Sequence, residues 1–161
     1  MTRHLNRTAI HEAGHAVMHY LERVPFESVT ITPDPAMHAD GAVHPCPDTP
    51  LWLWDRQRSK TIRICMGGKV AEEFFTGRVV NRACAHDLNL AAGIADELSN
   101  DPDRVLFTAY LAARDKLTAP RVWAAVLALA SALVERQRLS KRAAYRVIRA
   151  ALPKQQEKGG N

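Results

Sequence analysis

Apolar residues recur at helical spacing near the start of the chain. They form one stripe within residues 3–23, made of Leu5, Ile10, Ala13, Val17, Tyr20 and Leu21. With about 100° of rotation per residue, this pattern predicts an amphipathic helix. His11, Glu12 and His15 fall together on a flank of that helix, off the stripe. We therefore do not expect them to be core side chains satisfied by the backbone.

The pattern changes to alternation after this helix. Residues 26–32 alternate and are rich in β-branched side chains, so they predict a strand. Prolines exclude helix from residues 33–50 and leave loops around a short strand near residues 41–43. Helical periodicity then returns and predicts helices over residues 53–75, 86–99, 103–117 and 120–137, and over a last segment that begins after Ser140 and ends before Pro153.

These elements predict a mainly helical α+β domain with a small sheet after the first helix. We expect a single domain over residues 1–153 and a disordered polar tail over residues 154–161. The pair Gly67-Gly68 lies in the middle of the second predicted helix. Glycine there costs about 1 kcal/mol per residue relative to alanine, so it indicates either a close approach of another helix or a local break.

Composition describes an ordinary globular protein. Hydrophobic residues make up 47% of the 161 residues and charged residues 24%. The net charge is +5, and we expect the lysines and arginines that produce it to lie on solvated helix faces rather than to bind nucleic acid. Three cysteines without a paired motif, and no signal peptide, favour a cytoplasmic protein. The longest uncharged run, residues 122–134, is shorter than the roughly 20 residues of a membrane span.

The predicted first helix carries the motif His11-Glu12-Ala13-Gly14-His15. Histidines four residues apart on a helix present both imidazoles to one side, where they can bind one Zn²⁺ ion. The intervening Glu12 lies close enough to take a proton from a water at that site. The pentapeptide also arises by chance, so other residues must decide whether it binds metal.

A zinc site of this kind needs a third protein ligand. The spacing leaves several candidates open, and they are Asp87, His86, Glu72, Glu73, His44, His19 and Cys84. His19 is one further turn along a straight helix, and three such residues cannot all reach one ion. Asp87 begins a predicted helix and has a rival role as its capping residue.

Four motifs in order resemble the peptidase domain of the FtsH family of ATP-dependent zinc proteases. They span residues 8–16, 28–33 and 64–73, followed by His86-Asp87-Leu88-Asn89, which is similar to the family's Asn-Asp-Leu segment. The resemblance implies that His11, His15 and Asp87 bind zinc and that Glu12 is the general base. It also implies that Glu72 orients a ligand histidine.

The resemblance implies a zinc-dependent endopeptidase. The FtsH family joins this domain to an ATPase motor that is not in the sequence, so we expect ATP-independent cleavage of unfolded or exposed polypeptides. A delivering ATPase partner and a homo-oligomer remain open, as do a peptidase specific for one partner protein and a non-catalytic module. His86 stands where the family has asparagine and is a potential extra ligand. We expect an extended substrate to pair with the edge of the predicted strand at Val29, Thr30 and Ile31.

Overall fold

The computed structural model describes residues 6–33, 41–46, 51–78 and 84–152, without the side chains of residues 51–55. The predicted helix start at residues 3–5 and the tail at 154–161 lie outside this part of the chain. The helices are α1 (Arg7–Glu22), α2 (Leu51–Thr76), α3 (Ala85–Leu98), α4 (Pro102–Leu117), α5 (Pro120–Arg136) and α6 (Lys141–Ala151). The strands are β1 (Phe26–Thr30), β2 (Ala42–Pro45) and β3 (Arg138–Ser140). The prediction of a mainly helical α+β fold is confirmed.

Local sequence signals set the ends of several helices. The side chain of Asn6 accepts a hydrogen bond from the backbone N–H of Ala9, which caps α1. Ser140 caps α6 in the same way, as predicted. Gly77 follows α2 with φ of +67°, a conformation that glycine adopts without steric cost, and so ends that helix.

The sheet is antiparallel, with strand order β2-β1-β3. The sequence pattern predicts β1 and a strand near β2, but β3 is absent from the prediction. Those three residues lie between α5 and α6 and are too few for an alternating pattern. β3 pairs with β1 at Val29↔Leu139, so β1 is the central strand.

Helix α1 is the centre of the core. It packs against α2 on one side and α5 on the other, and every residue from Ala9 to Met18 is buried. The expectation that the histidine-bearing flank lies outside the core is therefore wrong. An apolar stripe shows which face must be buried, but α2 covers the polar flank as well.

The crossing of α1 and α2 depends on glycine. A β-carbon placed on Gly14 would lie 2.5 Å from the backbone oxygen of Gly67, so the two helix backbones touch. Helix α2 runs through Gly67-Gly68 without interruption. Of the two alternatives for this glycine pair, close helix approach is the correct one.

No single helix in the described ranges is long and apolar enough to cross a membrane. Helices α4 and α5 have the required length and hydropathy only when they are counted together, and they are bent by 84° relative to each other.

Candidate metal centre

Three side chains from two helices converge at one point beside α2. His11 and His15 lie one turn apart on α1, and their Nε2 atoms are 2.9 Å apart. Oδ2 of Asp87, in the first turn of α3, is 3.2 Å from Nε2 of His11 and 3.1 Å from Nε2 of His15. The structure thus brings together the three residues that the FtsH resemblance assigns to zinc.

The opposite nitrogen of each histidine is held by a hydrogen bond. Nδ1 of His15 donates to the backbone carbonyl of Ile64 at 2.8 Å, since a carbonyl oxygen only accepts. Nδ1 of His11 lies 2.8 Å from Oε1 of Glu72 and donates to that carboxylate. His15 is therefore a buried histidine satisfied by the backbone, contrary to the sequence expectation. In the neutral imidazoles, both Nε2 atoms then carry a lone pair.

These lone pairs and the Asp87 carboxylate could together hold a cation. Two neutral Nε2 atoms and one carboxylate oxygen are all electron-pair donors, and they lie within about 3 Å of one another. Without a cation between them they repel, so the arrangement calls for a metal ion or for protons. Two imidazoles and one carboxylate form a donor set that zinc accepts in catalytic sites.

The spacing of the three donors fits a metal ion. A β-carbon placed on Gly68 would lie 2.5 Å from Nε2 of both His11 and His15, so glycine allows both imidazole rings to pack against the backbone of α2. Tetrahedral zinc with bonds of about 2.0–2.1 Å holds its ligand atoms about 3.3 Å apart. The observed separations of 2.9–3.2 Å are close to that value.

The site also favours positive charge at the histidines. Burial opposes protonation of His11, but hydrogen bonds with Asp87, Cys84 and Glu72 outweigh it and raise the pKa of His11 to about 12. Burial likewise opposes charge on Asp87, yet the neighbouring His15 and His11 hold the pKa of the Asp87 carboxyl well below its usual range. The carboxylates around the two imidazoles thus favour positive charge on them.

Glu12 lies on the same helix and faces β2. It is 6% exposed, and a β-carbon on Gly41 would come within 2.8 Å of Cγ and 2.9 Å of Oε1 of Glu12. Burial raises the pKa of Glu12 above its ordinary value, although the nearby histidines act in the opposite direction. A carboxylate with a raised pKa is a stronger base, as proton abstraction from water requires.

A second set of possible metal ligands shares His11. Ligand atoms of His11, Glu72 and Cys84 lie within 4.8 Å of one another, and all three residues are buried. Both oxygens of Glu72 are already engaged, Oε1 by His11 and Oε2 by Arg7. The positive charge of Arg7 also disfavours a second cation there. The first set is therefore the better candidate for a metal centre, and Cys84 is a buried thiol.

Other predicted candidates lie outside the centre. His86 is exposed and belongs to neither set of ligands. Nδ1 of His19 donates to the carbonyl of Val24. Glu73 accepts a hydrogen bond from the hydroxyl of Tyr110 and pairs with Lys69. His44 is in β2, where it pairs with β1.

No role was predicted for Arg7 or Gly41, and for Gly68 the sequence indicated a close helix approach but not the contact with the imidazoles. Their roles depend on contacts between residues far apart in the chain, such as the 65 positions that separate Arg7 from Glu72. A charged residue one turn before the motif was the only local signal that could have pointed to Arg7.

The expected pairing of a substrate with the edge of β1 stays a prediction at Ile31, but the sheet occupies both edges at Val29 and Thr30. These two residues pair with β2 on one side and with β3 on the other, and the N–H of Ile31 donates to the carbonyl of Gln137. A substrate strand therefore has no open edge at Val29 and Thr30. Within the described part of the chain, the outer strand next to Glu12 is β2.

Comparison with known proteins agrees with this geometry. The family model described as Peptidase family M41 matches residues 2–101, which include the whole centre. The chain belongs to peptidase family M41. It carries an FtsH-type metallopeptidase domain, and the resemblance seen in the sequence is confirmed.

One similar protein is the mitochondrial inner membrane i-AAA protease supercomplex subunit YME1 of Saccharomyces cerevisiae. The two sequences are 35% identical over 92 residues, which are 55% of this chain and 12% of YME1. The M41 match ends in the turn before α4, so α4, α5 and α6 lie outside it.

Proposed function

We propose that this M41 domain is a zinc-dependent endopeptidase that cleaves unfolded or exposed polypeptides without ATP. The observation that carries the proposal is the convergence of two Nε2 atoms and one carboxylate oxygen within 3.2 Å of one another. His11, His15 and Asp87 would hold the ion.

When bound, zinc would act as a Lewis acid, polarising the scissile carbonyl and making water more acidic. Glu12 takes the proton from the attacking water and returns it to the leaving amine. Glu72 and the carbonyl of Ile64 keep the two imidazoles in the orientation that ligation needs. None of these groups acts on a nucleotide, so hydrolysis of an already unfolded chain needs no ATP. Folded substrates would need a partner that unfolds them.

We place the extended substrate along the outer edge of β2, in place of the β1 edge. Gly41 immediately precedes β2 and lies against Glu12, so a strand added there passes the general base. Main-chain hydrogen bonds along a strand edge bind many sequences with little preference. A peptide with methylated backbone amides should bind worse than its parent, and equal cleavage rates would refute this placement.

The proposal is tested by degradation of casein with added zinc and no ATP. Wild type should cleave, and Glu12→Gln should lose activity by about 100-fold or more, since a positioned general base contributes about 10²–10⁴-fold. Glu135→Gln is the matched control, because Glu135 is an exposed glutamate on α5. If wild type binds zinc but does not cleave casein, general proteolysis is wrong for this chain. A single dedicated substrate or a binding role would then be the better account.

A further inference from the structure

Arg7 is connected to the metal centre through two successive side-chain contacts, first with Glu72 and then with His11. It lies one turn before His11 on α1, and its Nε and Nη2 donate to Oε2 of Glu72 at 3.0 Å and 2.5 Å. The other oxygen, Oε1, accepts from Nδ1 of His11, whose Nε2 faces Asp87 and His15. Two residues of α1 thus bind the two oxygens of one carboxylate on α2.

Glu72 needs this partner because its carboxylate is buried. Its side chain is only 4% exposed, whereas that of Arg7 is 48% exposed. Burying a carboxylate without a charge partner costs free energy, and the carboxylate then turns toward any hydrogen-bond donor that remains nearby. The two hydrogen bonds from the guanidinium converge on Oε2 and hold that oxygen, which leaves Oε1 to accept from His11.

We propose that Arg7 is a positioning residue for the metal centre, a role that rests on the proposed zinc-binding function. By binding Oε2, Arg7 keeps Oε1 directed at Nδ1 of His11. That hydrogen bond keeps the proton on Nδ1 and the lone pair on Nε2, the form in which imidazole ligates a metal. Loss of Arg7 frees Glu72 to rotate and His11 to change tautomer.

A simpler role for Arg7 is that of a half-exposed ion pair joining α1 and α2. Such a pair contributes about 0–1 kcal/mol to folding and has no effect on a metal. The two roles differ in what they change. A structural pair alters the free energy of unfolding, whereas a positioning residue alters zinc affinity and the proton position on His11.

The experiment compares Arg7→Ala, Arg7→Lys and the control Arg58→Ala. Arg58 also pairs with a glutamate, Glu97, on another helix, and that pair lies outside both sets of metal ligands. The dissociation constant for Zn²⁺ is measured by competition with a chelating dye. We expect about 10–100-fold weaker binding in Arg7→Ala, the usual cost of losing a ligand's hydrogen-bond network. Arg7→Lys should recover part of it, and Arg58→Ala should match wild type.

Proton NMR of the zinc-loaded protein gives a readout that needs no enzyme activity. The Nδ1 proton of His11 should exchange slowly with solvent in wild type, because Glu72 accepts its hydrogen bond, and faster in Arg7→Ala. Unchanged zinc affinity and proton exchange in Arg7→Ala would overturn the proposal, as would an equal loss in Arg58→Ala. If wild type binds zinc but cleaves nothing, weaker zinc binding in Arg7→Ala still supports the positioning role while the proposed protease function fails.

Discussion

Two buried glutamates join α1 to α2, one at each end of the helix crossing. Glu72 on α2 binds Arg7 near the start of α1. Glu22, the last residue of α1, binds Arg63 of α2 through two hydrogen bonds of 2.9 Å and 2.7 Å and also pairs with Lys116 of α4. Both glutamate side chains are 4% exposed. By residue type and burial, the two sites are nearly the same.

They differ in what lies beyond the carboxylate. The side-chain partners of Glu22 are cations, and its contacts serve to hold three helices together. Glu72 has one cation and one imidazole, and that imidazole faces the metal centre. A buried ion pair therefore indicates function only when one of its oxygens holds a group that does chemistry. This difference predicts that the two glutamates affect different measurements.

The largest effect is expected from Gly68→Ala, which places a methyl group against both imidazole rings. That methyl group would lie 2.5 Å from Nε2 of both His11 and His15. We expect zinc affinity to fall by more than the roughly 10–100-fold typical of a lost hydrogen-bond partner, because the methyl group pushes both ligand imidazoles out of position. The measurement is the same dye competition, with helix content followed by circular dichroism.

Gly93→Ala is the matched control for this change. Gly93 is also in the interior of a helix, α3, but a β-carbon there would have no neighbour within 4 Å. It should leave zinc binding intact and stabilise the fold by up to about 1 kcal/mol. If Gly68→Ala binds zinc as tightly as Gly93→Ala, the metal is not where the two Nε2 atoms meet.

Replacing each glutamate with glutamine separates a role in metal binding from a role in folding. Glu72→Gln should weaken zinc binding by about 10–100-fold, since a neutral amide is a poorer acceptor for Nδ1 of His11. Glu22→Gln should lower the free energy of unfolding by about 2–4 kcal/mol, because two cations lose a buried anion. Urea unfolding of the metal-free proteins and zinc titration of the folded ones measure both quantities. Similar effects of the two variants on both quantities would show that the sites do not differ in role.

The sequence was sufficient for the parts of this architecture that depend on local pattern. Helical spacing predicts α1, and the four-position step from His11 to His15 places both on one side of it. Asp87 followed only from the resemblance to a family, because its distance of 72 residues from His15 carries no local signal. Arg7 was not predicted because its partner Glu72 is also far away in the sequence.

Strand order and burial were the least predictable features. Three residues of β3 turn β1 from an edge into a central strand, and no alternating pattern that short is visible. The polar flank of α1 is buried because α2 can approach through Gly14 and Gly67, a contact between helices that neither helix's own periodicity contains. Pairing between distant segments decides these features, and a single sequence does not show it.

The smallest predicted effect concerns Glu22 alone and appears on acidification. Burial alone would raise the pKa of Glu22, but hydrogen bonds and charge from Arg63 and Lys116 lower it from the ordinary 4.5 to about 2. Between these values the unfolded chain binds the proton first, so stability from Glu22 is complete above about pH 4.5 and falls as pH drops toward 2. The gap in unfolding free energy between wild type and Glu22→Gln, measured in metal-free protein, should therefore shrink from pH 6 to pH 3. A gap that stays constant over this range would mean that shape, rather than the charge on Glu22, joins the three helices.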